Sequence, residues 1–145
     1  MLSQKAKYAL KAMLELVELD EGDLLQAGEI AERQHVPRKF LEMILLELRR
    51  HGLVESHRGK HGGYALAKPA DAITFGEIIR IIDGPLAPIP CASLSGYRRC
   101  DDCADERSCA IRGAMQQARA ALSNILDGLT LAQASKPDTS PTLLG

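Results

Sequence analysis

The sequence predicts a mainly α-helical fold with one small β-hairpin, followed by a long C-terminal helix. Three observations predict it. Aromatics are only 3% of the chain and Trp is absent, so a core must come from Leu, Ile, Val, Met and Ala, a set that favours helices. Apolar residues recur at three- and four-residue spacing along most of the chain. One stretch, residues 53–67, departs from that period, with two short runs on either side of Gly59, Gly62 and Gly63.

Ser3 is the expected N-cap of a first helix over residues 4–19, with Leu10, Met13, Leu14 and Val17 as its buried stripe. Lys5, Lys7 and Lys11 lie near its start, against the preference of the helix dipole. A phosphate, an acidic neighbour or plain solvation would each accommodate them. Residues 20–23, Asp-Glu-Gly-Asp, read as a turn. A short second helix spans residues 26–34, with Ile30 and Ala31 inward.

His35-Val-Pro leads into a third helix over residues 37–51, with Pro37 suited to its first position. Phe40, Leu41, Ile44, Leu45 and Leu48 fall on one face; Lys39, Glu42, Met43, Arg49 and Arg50 are left outward. Gly52 stops the helix. Strands at residues 53–58 and 64–67 follow, and the three glycines bend the chain between them because glycine tolerates positive φ. Two helices joined by so short a turn, the second with a polar outer face, form a helix-turn-helix. A hairpin directly after it makes the winged variety. The domain is expected to span residues 1–84.

Charge distribution supports a polyanionic partner where net charge does not. The 145 residues sum to a formal −1. Residues 33–61, however, hold seven Lys or Arg, three Glu and all four His. The hairpin tip carries Arg58, Lys60 and His61, a cationic group suited to phosphate or a narrow minor groove. The candidate DNA contacts are therefore Arg38, Lys39, Glu42, Met43, Arg49, Arg50, Arg58, Lys60 and His61. His51, His57 and His61 lack metal-ligand spacing on a helix and suit phosphate better.

Thr74 caps a fourth helix reaching Asp83, with Phe75, Ile78, Ile79 and Ile82 toward the core. Residues 84–90, with three prolines, form a stiff extended exit. The cysteine-rich loop (85–109) follows, then a helix from about residue 108. Ile111, Met115, Ala118, Leu122, Ile125 and Leu129 are spaced 4-3-4-3-4, a heptad seam. The simplest partner for that seam is its own copy in a symmetric homodimer. Gly128 ends that helix after Asp127; the dimerisation helix region is placed at 110–134 and a disordered tail at 135–145.

Four cysteines follow the pattern Cys91-x8-Cys100-x2-Cys103-x5-Cys109. Four thiolates within one loop could hold zinc or an iron–sulfur cluster, or form a dithiol switch. Asp101, Asp102, Asp105 and Glu106 surround them, and carboxylates disfavour a reactive lone thiolate. No signal peptide or membrane-length apolar run is visible, so a cytoplasmic protein without structural disulfides is expected. No nucleophile–base pair, phosphate loop or thioredoxin-like βαβ pattern surrounds any candidate residue, so an enzyme is not expected. A zinc-bound interaction module that does not touch DNA is the alternative from another class.

Residues 51–66, His-Gly-Leu-Val-Glu-Ser-His-Arg-Gly-Lys-His-Gly-Gly-Tyr-Ala-Leu, resemble the wing signature of the Rrf2 family of bacterial regulators. Residues 7–13 (Lys-Tyr-Ala-Leu-Lys-Ala-Met), 30–32 (Ile-Ala-Glu) and 40–42 (Phe-Leu-Glu) match in order and spacing, over about residues 1–134. The resemblance implies a homodimeric winged helix-turn-helix transcription factor, such as a repressor, on a palindromic double-stranded operator. It implies that Glu42 accepts from a cytosine edge and that Arg58 enters the minor groove. It also implies an iron–sulfur cluster, 2Fe–2S or 4Fe–4S, on Cys91, Cys103 and Cys109, with zinc as the alternative metal. The family's usual fourth ligand is missing: Arg112 stands three residues after Cys109, and Lys7 and Tyr8 occupy the first-helix position. Cys100 would then complete an all-cysteine set.

Overall fold

The computed structural model describes residues 2–136; most of the tail expected at 135–145 lies outside the described residues. Six α-helices and one hairpin follow in order: α1 Gln4–Val17, α2 Ala27–Gln34, α3 Arg38–Arg50, β1 Val54–His57, β2 Gly63–Leu66, α4 Phe75–Asp83, α5 Ala110–Asp127 and α6 Leu131–Ala134. Short 3-10 turns sit at Ala70–Ala72 and Pro90–Ala92. The fold is thus mainly helical with a small antiparallel wing, as expected.

Both expected caps form. The Ser3 side chain accepts from the Ala6 amide at 3.0 Å, and Thr74 accepts from Glu77 at 3.2 Å. Helix α1 ends two residues earlier than expected. Its buried face is Ala6, Ala9, Leu10, Ala12, Met13 and Leu16, while Leu14 and Val17 are half-buried. The stripe is rotated toward the alanines because small residues let α1 lie close to its neighbours. The basic start of α1 finds an acidic neighbour: Lys5 Nζ is 2.7 Å from Glu47 on α3.

Pro37 is the N-cap residue of α3 rather than its first residue, since its ψ of 127° is extended. The turn before it is made by His35, in the left-handed conformation at φ 55°. That is the only positive φ outside glycine among the described residues. His35 N–H and Val36 N–H return to α2 carbonyls, and Val36 is buried. This cap fixes α3 against α2.

One core joins α1 to α4, the wing and α6. Its fully buried side chains include Met13, Ile30, Leu41, Ile44, Leu45, Leu48, Leu53, Ile73, Ile78 and Leu131. Phe40 is only half-buried and meets Tyr8 edge-to-face, ring centroids 5.7 Å apart. Strand register pairs Val54 with Leu66 and His57 with Gly63. The wing is extended by a pairing that sequence periodicity did not indicate: Leu25 exchanges backbone bonds with Tyr64, at 3.0 and 2.8 Å. A Cβ at Gly63 would lie 2.8 Å from the Leu25 carbonyl oxygen, so glycine permits that approach.

Residues 84–90 do not simply lead away, because Leu86 returns to the core. The segment placed at 110–134 holds two helices, and the stop expected at Gly128 forms. Gly128 ends α5, and Leu129 lies in the following turn, where its carbonyl accepts from Phe75 at 2.9 Å. Leu131 donates to Ile73, and α6 folds back with Leu131 in the core. Burying a leucine outweighs continuing an exposed helix. No helix among the described residues is long and apolar enough to cross a membrane.

Candidate DNA interface and cysteine loop

The outward face of α3 carries Arg38, Lys39, Glu42, Met43, Leu46, Arg49 and Arg50, all exposed. Met43 is 62% and Leu46 40% exposed, so the stripe also presents apolar contact surface. Arg38, Glu42, Arg49 and Arg58 line one cleft of about 410 Å³, together with Gln26, Ser56, His57 and Tyr64. Four of the nine expected contacts therefore converge on one concavity between α2, α3 and the wing. Lys39, Met43, Arg50, Lys60 and His61 lie outside its lining.

Contacts within the protein hold several of these groups. Arg38 Nε donates to Glu42 Oε1 at 3.1 Å, one helical turn apart. Arg49 Nη1 donates to Ser56 Oγ at 3.1 Å and so joins α3 to β1. His51 Nδ1 donates to the Glu47 carbonyl at 2.9 Å, and His57 Nε2 is 3.5 Å from Glu55. Gln26, the N-cap of α2, makes no side-chain cap bond. Gln26 and Ser56 were not among the expected site residues, because each is a single polar residue whose place in the cleft depends on packing between elements.

At the wing tip, Gly59 and Gly63 take positive φ, but Gly62 does not. Gly62 is needed for space: a Cβ there would lie 2.1 Å from the His57 carbonyl oxygen.

The cysteine loop lies at the start of α5. Cys91 is buried, Cys100 exposed, and Cys103 and Cys109 half-buried. Cys100 Sγ is 3.9 Å from Cys91 Sγ. Two thiolates sharing one tetrahedral metal sit about 3.8 Å apart, so this pair has ligand spacing. No three His, Cys, Asp or Glu side chains among the described residues converge closely enough to hold a metal ion. The pairing of Cys91 with Cys100 also differs from the family-derived set of Cys91, Cys103 and Cys109.

Cys100 is held above the usual thiol range. Its bond to Cys91 is the chief cause, followed by the charge of Cys91, burial, Asp102 and Cys109. The acidic neighbours act as expected but are secondary to the other sulfur. Cys109 is the N-cap of α5, where its Sγ accepts from the Arg112 amide at 3.4 Å. Arg112 Nε donates to the Cys91 carbonyl at 3.0 Å and so ties the loop's first cysteine to α5.

The far end of α5 is clamped to α4. Arg80 makes two bonds to Asp127, at 2.6 and 2.9 Å. Asp127 is held below the usual carboxylate range and Arg80 above its own, each chiefly by their shared hydrogen bonds. Gly76 makes room, since a Cβ there would lie 2.0 Å from Asp127 Oδ1.

Between these ties α5 turns most of its apolar seam away from its own domain. Arg112 and Leu126 mark the inward face, which also carries Gln116, Arg119 and Ser123. That face is mostly polar, and Arg119 Nε is buried there without a hydrogen-bond partner. Of the expected seam, Ile111, Ala118, Leu122 and Ile125 are exposed, while Met115 and Leu129 are half-buried.

The Rrf2 family model, described as an iron-dependent transcriptional regulator, matches residues 2–137. The chain belongs to the Rrf2 family. An rrf2-like HTH-type regulator of Rhodobacter capsulatus is 48% identical over 134 residues, covering 90% of this chain and 89% of that one. IscR of Escherichia coli is 36% identical over 102 residues, covering 70% of this chain and 63% of its own. Among solved structures, CymR, the global cysteine regulator of Bacillus subtilis, aligns with TM-score 0.77 at 32% identity, over 93% of this chain and 95% of that one. An IscR from T. potens aligns with TM-score 0.70 at 30% identity, over 91% and 83%. This Rrf2 chain is a winged-helix transcriptional regulator and not an enzyme.

Proposed function

We propose that this regulator binds a palindromic operator as a homodimer and that a metal group on its cysteine loop controls the binding. The observation that carries the reading is the Cys91–Cys100 pair at ligand spacing, tied through Arg112 to the root of α5. An iron–sulfur cluster would take Cys91 and Cys100, already at ligand spacing, and would require Cys103 and Cys109 to close onto them. The donor type, four thiols with one at a helix N-terminus that favours negative charge, suits such a cluster. Bound there, such a cluster would supply a crosslink sensitive to iron supply, oxidants and nitric oxide. Zinc would satisfy the same pair spacing.

The protein's own residues supply the coupling. Arg112 links Cys91 to the start of α5, and Asp127 links its end to Arg80 on α4. A change of loop conformation therefore moves the start of α5, while its end stays clamped to α4. If that helix forms the dimer contact, half-site spacing moves with it. In the groove, Glu42 reads a cytosine edge and Arg58 enters the minor groove. Lys39, Arg49 and Arg50, with Lys60 and His61 at the tip, add phosphate affinity.

Anaerobic purification with an absorbance spectrum and iron, sulfide and zinc analysis tests the metal. Visible absorption with matched iron and sulfide supports the cluster; colourless protein with stoichiometric zinc replaces it with the zinc reading. Equal operator affinity with and without the metal group would remove the switch.

A further inference from the structure

We propose that Arg38 is a positioning residue for Glu42 rather than a reader of DNA in its own right. The proposal rests on the reading of Glu42 as a base contact and names what makes that contact specific. Arg38 Nε is bonded to Glu42 Oε1 at 3.1 Å, which leaves Oε2 as the oxygen available to a base. The guanidinium is also backed by α2: a Cβ placed at Gly28 would lie 3.5 Å from Nη1 and 3.7 Å from Cζ. The arginine therefore lies across the first turn of α2 instead of extending along the axis of α3. Both residues line the cleft that Arg49, Ser56 and Arg58 close from the wing side.

The chemistry requires such a partner. A carboxylate entering the groove approaches phosphates of its own sign, and a lone flexible Glu can turn away from them. A guanidinium within bonding distance neutralises that repulsion. Its fixed, planar donor geometry also restricts the carboxylate to one orientation, which lysine would do less well. A cytosine amino group offers one hydrogen to one acceptor, so the direction of the free oxygen decides discrimination.

The test uses the full-length protein as it is purified and a pool of randomised DNA duplexes, sequenced after selection. Wild type, E42A, R38Q and the double variant are compared for base preference at every position. E42A should lose the preference at one position in each half-site, by about tenfold, the discrimination that one good base contact supplies. R38Q should lose most of the same preference at the same position, with the other positions unchanged. The double variant should then be no less selective there than E42A. Uniform weakening by R38Q with the preference intact would overturn the proposal, leaving Arg38 a phosphate contact. A preference lost at a different position would overturn it too, making Arg38 a reader itself. If E42A changes no preference, the reading of Glu42 fails and the proposal with it. Both residues are exposed, so the variants should fold, and circular dichroism of each checks this.

Discussion

Replacing Ile125 with Asp tests the outward seam of α5 most directly. Ile125 is 65% exposed in the isolated chain, while the opposite face of α5 is turned to its own domain. Full burial of an isoleucine stabilises by about 2.5 kcal/mol, so burying the exposed two-thirds against a partner gives about 1.6 kcal/mol. A two-fold axis uses the residue twice, for about 3 kcal/mol per dimer. Losing it raises the dimer dissociation constant more than a hundredfold. The buried carboxylates add a further penalty. The fold of one protomer should change by less than about 0.5 kcal/mol, because in the single chain the side chain faces solvent. Sedimentation at micromolar concentration, paired with helix content at 25 °C, is the assay. Wild type should sediment as a dimer and I125D as a monomer of unchanged helicity. A dimeric I125D would place the interface elsewhere, and loss of helicity would show that the residue serves its own domain.

Three further outcomes follow from single contacts. Asp127 has a depressed pKa in the folded state, so its stabilisation is present above the unfolded carboxylate value, about 3.9, and is lost as pH falls through the folded value. Because both partners are around 40% exposed, D127N should cost only roughly 0.5–1 kcal/mol at neutral pH and progressively less as pH falls below the unfolded carboxylate value; urea midpoints across that acid range check this. G62A forces a methyl onto the His57 carbonyl and should cost about 1–3 kcal/mol by urea denaturation; an unchanged midpoint would contradict the close approach. S56A removes the acceptor of Arg49 and should weaken binding a few-fold, equally across DNA sequences, with stability within about 0.5 kcal/mol; anisotropy titrations on several duplexes would expose any change in base preference.

Much of the DNA-binding half was legible from neighbouring residues. The face Leu41, Ile44, Leu45 and Leu48 follows from a 3.6-residue period, and Ser3 and Thr74 announce their helices through bonds three residues long. The wing's glycines marked its turn, although Gly62 serves space and not φ. The rotated stripe of α1 was less legible, because Ala6, Ala9 and Ala12 are weak apolar signals that matter only when another helix lies close.

For the element on which the chain is organised, helix α3 and its wing, local sequence determined the period, the caps and the charge. Those depend on atoms within a few residues of each other. Tertiary structure decided what the charges do: Arg38 lies over Gly28 and holds Glu42, and Arg49 is bonded to Ser56. It also decided that Cys91 meets Cys100, that Asp127 reaches Arg80 across 47 residues, and that α5 turns its apolar seam outward. The physical reason is shared. Each of these contacts is set by how whole elements lie against one another, and no periodicity within an element records that.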